Sequence, residues 1–105
     1  MPKIGKAARG KHRWIGLVFD DNFSEINSVS EAIQNLIHQE KVKLFDYINE
    51  ENRKSCIIKV KLEEYSTVKE MLRNNKNRIF SITSSGKIRL VRLRLDEYFQ
   101  RQIDD

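Results

Sequence analysis

The chain has 105 residues, which fits one domain and leaves too little sequence for a second independent core. Hydrophobic residues make up 39% and charged residues 33% of it, which predicts a globular chain with more charge than usual and excludes a disordered one. No apolar run reaches the roughly 18 to 20 residues of a membrane span, and no secretory signal opens the sequence, so we expect neither membrane insertion nor export.

The net charge of +5 is unevenly distributed along the chain. Residues 1–13 and 71–95 contain basic residues and no acidic ones, whereas residues 14–70 and 96–105 are net acidic. Segregated charge of this kind predicts a polyanionic partner on one side of the protein. The basic residues that we predict to contact RNA phosphates are Lys3, Lys6, Arg9, Lys11, Arg13, Arg73, Lys76, Arg78, Lys87, Arg89, Arg92 and Arg94.

The first elements are a basic arm, a strand and a helix. Residues 1–11 mix glycine, proline and basic residues without periodicity, which predicts a flexible arm ahead of a single domain at 12–105. Residues 13–19 carry apolar side chains on both faces, as in a central strand. Ser28 and Glu31 form a capping-box pattern that predicts a helix over residues 29–40.

The middle of the chain predicts a hairpin and a second helix. Residues 42–49 and 55–63 alternate in hydrophobicity and are separated by a polar turn, as two paired strands would be. Thr67 and Glu70 form a second capping-box pattern, and the helix that it predicts ends in the asparagine-rich turn at 74–77.

The last elements are a strand and a short helix. We predict a fourth strand over residues 79–91, bent near Gly86, and then a short amphipathic helix carrying Leu95, Tyr98 and Phe99. The order β, α, β, β, α, β predicts an α+β domain of the ferredoxin-like class, with a four-stranded antiparallel sheet and both main helices on one face. The other face is left for a ligand, a partner or the terminal segment.

Catalytic and metal-binding patterns are weak in this sequence. Cys56 is the single cysteine, so it cannot form an internal disulfide or a two-cysteine metal site, and we expect it in the core of a strand. Neither His12 nor His38 has an acidic residue or a cysteine at ligand spacing, and the acidic pairs fall in predicted turns or at strand ends. We therefore predict no catalytic residue, no bound metal and no cofactor.

The predicted third strand, SCIIKVKL, lacks the aromatic residues with which an RNA recognition motif stacks bases. Trp14 on the first strand is a candidate for base stacking, although a half-buried Trp more often packs. The cations around the last strand predict contacts with RNA phosphates, which fix position without reading sequence. The structural alternative is an edge strand that uses charge to stay soluble.

Three segments resemble the archaeal and eukaryotic ribonuclease P protein component 2 family. They are the Lys11–Ile15 strand start, the hairpin and second helix YINEENRKSCIIKVKLEEYSTVKEML, and the stretch from Ser85 through Ile103. They are distributed from near the start of the chain to near its end. Two features depart from the family pattern: a short connection between the first helix and the second strand, and Lys87 in place of a small residue.

The resemblance implies a non-catalytic, RNA-binding subunit of ribonuclease P. Its expected partners are the catalytic RNA, which binds the magnesium and removes 5′ leaders from precursor tRNA, and a TIM-barrel-like protein subunit. The resemblance does not decide whether the protein also forms a homodimer. The expected compartment is the cytoplasm, or the nucleus in a eukaryote. The alternatives are a protein–protein interaction module, a general RNA-binding protein of this fold and, third, a small-molecule enzyme.

Overall fold

The computed structural model of the protein describes residues 12–20, 23–39, 42–73 and 78–104. The predicted arm and the turn at 74–77 lie outside the described residues. Within them the chain forms β1 (His12–Phe19), α1 (Ile26–Ile37), β2 (Phe45–Glu50), β3 (Arg53–Lys61), α2 (Leu62–Arg73), β4 (Ile79–Ser85) and α3 (Ile88–Asp104).

The strands form one antiparallel sheet in the order β2-β3-β1-β4. The first strand pairs with β3 on one side and β4 on the other, so it is central, as its two apolar faces predicted. The predicted α+β class with a four-stranded antiparallel sheet is confirmed.

One face of the sheet carries α1 and α2. Because successive strand residues point to opposite faces, Ile15 and Leu17 of β1 lie on the same side, where they join the buried Ile33 of α1 and Leu72 of α2 in one core cluster. Cys56 of β3 belongs to this core and is fully buried, as predicted. Burial disfavours its thiolate and raises the pKa of the thiol to about 12.

The opposite face is covered by α3. Its apolar residues Val91 and Leu95 pack with Val18 and Ile57 in a second core cluster. Gly16 allows this close approach, because a Cβ at that position would lie only 3.0 Å from Val91 Cγ1 and 3.1 Å from Leu95 Cγ. The sheet is therefore the middle layer of three.

The predicted starts of both main helices are wrong. Helix α1 begins at Ile26, so Ser28 is inside its first turn, where the Ser28 hydroxyl accepts a hydrogen bond from the Glu25 N–H (3.3 Å) and donates one to the Glu25 carbonyl (2.8 Å). Helix α2 begins at Leu62, directly after β3, so Thr67 and Glu70 are interior residues. Helix α1 ends at Ile37, and its C-cap residue His38 has a left-handed backbone (φ 56°).

The predicted fourth strand to residue 91 and the short terminal helix are also wrong. Strand β4 ends at Ser85, and α3 starts at Ile88 and runs for 17 residues. Residues 87–90 alternate like a strand, but Ile88, Val91 and Leu95 repeat at helical spacing and all pack against the sheet. The longer period decides the structure because it buries one continuous side of a helix.

A β-bulge interrupts the pairing of β4 with β1. Gly16 pairs with Thr83 and Leu17 with Ser81, so Ile82 is an extra residue. Ile82 packs in the cluster under α3, and the Thr83 side chain also reaches this face, where its Cγ2 lies 3.1 Å from a Cβ built on Gly16. After the bulge, Ser84 points to the α2 face.

Candidate nucleic-acid interface

The turn between β4 and α3 lies beside the start of β1. Trp14 pairs with Ser85 across the two strands, and the Lys87 N–H donates a hydrogen bond to Ser85 Oγ at 3.1 Å. A Cβ built on Gly86 would lie 3.0 Å from Arg13 Nη1, so the Arg13 guanidinium lies against this turn. Arg13 and Gly86, 73 positions apart in sequence, are thus neighbours at one end of the sheet.

Two further cations at this end come from α3. The Arg94 Nη1 donates hydrogen bonds to the Ser84 carbonyl at 3.1 Å and to Thr83 Oγ1 at 3.3 Å, which holds its guanidinium beside the end of β4. Arg89 is exposed in the first turn of α3. Arg13, Lys87, Arg89 and Arg94 together are called the basic turn surface, and none of them forms an ion pair with a carboxylate of the described residues.

The other predicted cations that the structure describes are paired with acids. Arg73 lies 3.8 Å from Glu70, and Arg78 lies 3.2 Å from Asp20, both at the end of the sheet away from the basic turn surface. Arg92 belongs to α3 but is also paired, as described next. The acid-free segment of the sequence is thus divided in space. Lys3, Lys6, Arg9, Lys11 and Lys76 lie outside the described residues.

Arg92 connects α3 to the edge strand β2. Its Nε donates to Asp46 Oδ2 at 2.6 Å and its Nη2 to Asp46 Oδ1 at 3.3 Å. Asp46 holds the Arg92 charge by these hydrogen bonds and by its own negative charge, which raise the pKa of the guanidinium. This cation is therefore largely engaged within the protein.

Trp14 is half-buried on the face that α3 covers. Its ring contacts the Phe45 ring edge-on, with centroids 5.1 Å apart and planes at 85°. The Lys59 ammonium lies over the Trp14 ring at 5.2 Å. These contacts show how Trp14 packs, and base stacking by this residue stays a prediction.

Sequence reasoning missed a polar group between α2 and β4. The Tyr65 hydroxyl forms a hydrogen bond with Ser84 Oγ, and the guanidinium of Arg13 and the ammonium of Lys69 lie 5.9 and 5.6 Å from the Tyr65 ring centroid. The Ser84 hydrogen bond, with the two cations, lowers the pKa of Tyr65. Lys69 was missed because it lies in a net acidic segment, although its spacing of four residues from Tyr65 places both on one side of a helix.

Within the described ranges, no group of three or more His, Cys, Asp or Glu side chains is placed to hold a metal ion. No helix of the described part of the chain is both long and apolar enough to cross a membrane.

The fold and the surface define a small α+β domain in which Arg13, Lys87, Arg89 and Arg94 gather at one end of a sheet that is covered on both faces. No known family model and no curated protein matches the chain.

Proposed function

We propose that this protein is a non-catalytic, RNA-binding subunit of ribonuclease P. In this role it binds the catalytic RNA and supports removal of 5′ leaders from precursor tRNA, while the RNA carries the chemistry and binds the magnesium. The observation that carries the proposal is the basic turn surface. It is built around Ser85 and Gly86, which belong to a segment that resembles the ribonuclease P component 2 family, and around Lys87, which replaces the small residue of that family.

The cations of the basic turn surface suit phosphate contacts. Lys and Arg side chains that are not neutralised by carboxylates can replace the counterions of an RNA backbone, and the release of those counterions drives binding. Arg94 is held beside Ser84 by its hydrogen bonds, so part of the surface is ordered before RNA arrives. Phosphate contacts position a protein on RNA without reading its sequence, which suits a subunit that serves one structured RNA.

The sheet itself is poorly suited to base stacking. An RNA recognition motif stacks bases on aromatic side chains across its open sheet. Here α3 covers the face opposite α1 and α2 with Val91 and Leu95. We therefore propose that RNA contacts one end of the sheet and the start of α3.

The same proposal assigns the fold to the ferredoxin-like class. Strands β1 and β2 both pair antiparallel with β3, which lies between them, so they form a split βαβ unit. The element order and the placement of α1 and α2 on one face support this assignment.

A protein partner is part of the proposal. Large apolar side chains stay exposed on α3 and on β4, among them Leu93 and Phe80, each 53% exposed. They support contact with the TIM-barrel-like subunit that the resemblance implies, or with a second copy of this chain. The proposed compartment is the cytoplasm, or the nucleus in a eukaryote.

Reconstituted cleavage of precursor tRNA tests this function. We expect the protein, added with its partner subunit to the catalytic RNA, to increase cleavage at low magnesium, because its cations reduce the repulsion between RNA phosphates. A Lys87→Gln, Arg89→Gln variant should lose most of this gain. A Lys54→Gln, Arg101→Gln variant, with the same charge change at the other end of the domain, should keep it. No effect of the wild-type protein at any magnesium concentration would contradict the proposal.

The exposed apolar residues also favour an alternative, a protein interaction module without RNA. Salt dependence separates the two, because log K for RNA binding should fall with log[salt] by about 0.7 to 0.9 for each phosphate contact. A general RNA-binding protein would show that slope with any RNA, whereas the proposed subunit should prefer ribonuclease P RNA over an unrelated RNA of equal length.

A further inference from the structure

A small cavity lies between α2 and the edge strand β4, on the side of the sheet away from α3. It has a volume of about 170 Å³, and its lining includes Tyr65 and Lys69 of α2, Ser81 and Ser84 of β4, and Ile15 as an apolar floor. This cavity is called the Tyr65 pocket. It belongs neither to the core nor to the basic turn surface.

The polar groups of the Tyr65 pocket are donors suited to an anion. Four of its described lining residues carry hydroxyls, Lys69 carries an ammonium group, and none is acidic. Serine, tyrosine and lysine side chains are among the groups that contact phosphate oxygens in nucleic-acid complexes. The volume equals that of about six waters at roughly 30 Å³ each, which is enough for one phosphate group.

Arg13 connects this pocket to the basic turn surface. Its guanidinium lies over the Tyr65 ring at 5.9 Å, and the same group lies against Gly86 on the turn between β4 and α3. Arg13 can therefore face a ligand in the pocket or one on the turn. The Ser84 hydrogen bond, together with the charges of Lys69 and Arg13, lowers the pKa of Tyr65, which is the direction expected where negative charge is stabilised.

We propose that the Tyr65 pocket binds a phosphate group, with the Tyr65 hydroxyl accepting a hydrogen bond from Ser84 and donating its own proton to the phosphate, and with Lys69 and Arg13 supplying the positive charge. The source that we assign is a phosphate of the RNA backbone, which would run from the basic turn surface around the end of β1 to α2. The assignment of RNA rests on the proposed function. The preference of the pocket for phosphate does not, because it follows from its own side chains.

Binding of inorganic phosphate tests the pocket without RNA. In NMR titrations of the full chain at constant ionic strength, we expect saturable shifts of the Lys69 and Ser84 amides with phosphate and not with chloride. Tyr65→Phe, which keeps the ring under Arg13 and removes only the hydroxyl, should weaken phosphate binding about fivefold. Lys69→Gln should weaken it about tenfold. The control Lys54→Gln, at the far end of the sheet, should change it less than about twofold.

RNA binding by the same variants tests whether the bound phosphate comes from the RNA backbone. If an RNA phosphate occupies the pocket, Lys69→Gln should lower the slope of log K against log[salt] by about 0.7 to 0.9, and Lys54→Gln should leave it unchanged. The Lys69→Gln effect should also be measured on RNA with and without a 5′ phosphate. If a backbone phosphate occupies the pocket, the effect of Lys69→Gln on RNA binding should be the same for both RNAs. If the 5′-terminal phosphate occupies it, the effect should disappear when that phosphate is removed.

Each outcome decides one part of the proposal. If no saturable shifts occur at the pocket, or if Tyr65→Phe and Lys69→Gln leave phosphate binding unchanged, the proposal that this pocket binds phosphate is overturned. Phosphate binding with an unchanged RNA slope in Lys69→Gln overturns the RNA source and supports a free phosphate. Phosphate binding by a wild-type protein that binds no RNA supports the pocket and contradicts the proposed function.

Discussion

Arg92 of α3 donates hydrogen bonds to both carboxylate oxygens of Asp46 on β2, at 2.6 and 3.3 Å. Asp46 has a left-handed backbone (φ 52°) where the pairing of β2 with β3 is irregular, and this bend directs its carboxylate at the helix. The pair connects the first half of α3 to β2, the edge strand on the side of the sheet opposite β4. It also neutralises Arg92, whereas Arg89 and Arg94 of the same helix form no ion pair with a carboxylate of the described residues.

Release of Arg92 should strengthen RNA binding. In Asp46→Asn the side chain still tolerates the left-handed backbone but no longer neutralises Arg92, so we expect tighter binding and a salt slope steeper by about 0.7 to 0.9. Fluorescence anisotropy at several salt concentrations measures both. Asp96→Asn is the matched control, because it frees Arg53, whose guanidinium stays over the Phe99 ring far from the basic turn surface. Equal effects of the two variants would mean that only net charge matters.

A side chain at Gly16 should loosen α3. The Cβ of Gly16→Ala would meet Val91, Leu95 and Thr83 side chains at 3.0 to 3.1 Å, and overpacking of this kind costs about 1 to 3 kcal/mol of unfolding free energy. Urea denaturation measures this loss. At Gly86 the only near atom among the described residues is Arg13 Nη1, the end of a long flexible side chain, so Gly86→Ala should change stability by less than about 0.5 kcal/mol. A Gly16→Ala variant as stable as Gly86→Ala would contradict the close packing of α3.

Two nearby leucines of α3 should differ sharply in how much their replacement by alanine lowers the unfolding free energy. Leu95 is 1% exposed and packs on the sheet, so Leu95→Ala should cost about 2 to 4 kcal/mol, through lost burial and the cavity left behind. Leu93 is 53% exposed, so Leu93→Ala should cost less than about 0.5 kcal/mol in the isolated protein. Thermal or urea unfolding compares them. Similar losses would show that α3 does not cover the sheet in solution.

Cys56 should make stability fall at alkaline pH. Burial raises the pKa of this thiol from 9.0 to about 12, so its contribution is complete below pH 9 and decreases as pH rises from 9 towards 12. One proton corresponds to about 1.4 kcal/mol per pH unit, or about 2 kcal/mol between pH 9 and 10.5. The difference in unfolding free energy between wild type and Cys56→Ala should shrink by this amount. Taking the difference cancels the contributions of groups that titrate in both proteins. A difference independent of pH would contradict the burial of the thiol.

The sequence predicts the architecture better than the surface. The alternation of Ile15 and Leu17 identified the central strand, and helical spacing identified the buried sides of α1 and α2, because burial is a local and periodic signal. The end of β4 was missed since the four residues 87–90 fit both periods, and only Val91 and Leu95 further on distinguish them.

The charged site depends on contacts that sequence does not display. Arg78 pairs with Asp20 over 58 positions and Arg92 with Asp46 over 46, so an acid-free segment in sequence is partly neutralised in space. Arg13 and Lys87 were predicted separately and come together only because β1 and β4 are neighbours. Tyr65 and Ser84 were missed for the same reason.

The extra residue in β4 has a consequence for how this protein can change over evolution. Thr83 faces α3 and Ser84 faces Tyr65, as they would in a regular ladder in which Thr83 followed Ser81 directly. Deletion of Ile82 would therefore make the Leu17–Ser81 and Gly16–Thr83 pairs consecutive and leave Ser84 beside the Tyr65 hydroxyl, and the loss would be one apolar side chain under α3. A deletion between Ser84 and Ile88 has no bulge to absorb it and would shift the start of α3. Homologues that keep both surfaces can therefore differ in length at residue 82 and should conserve the number of residues from Ser84 to Ile88.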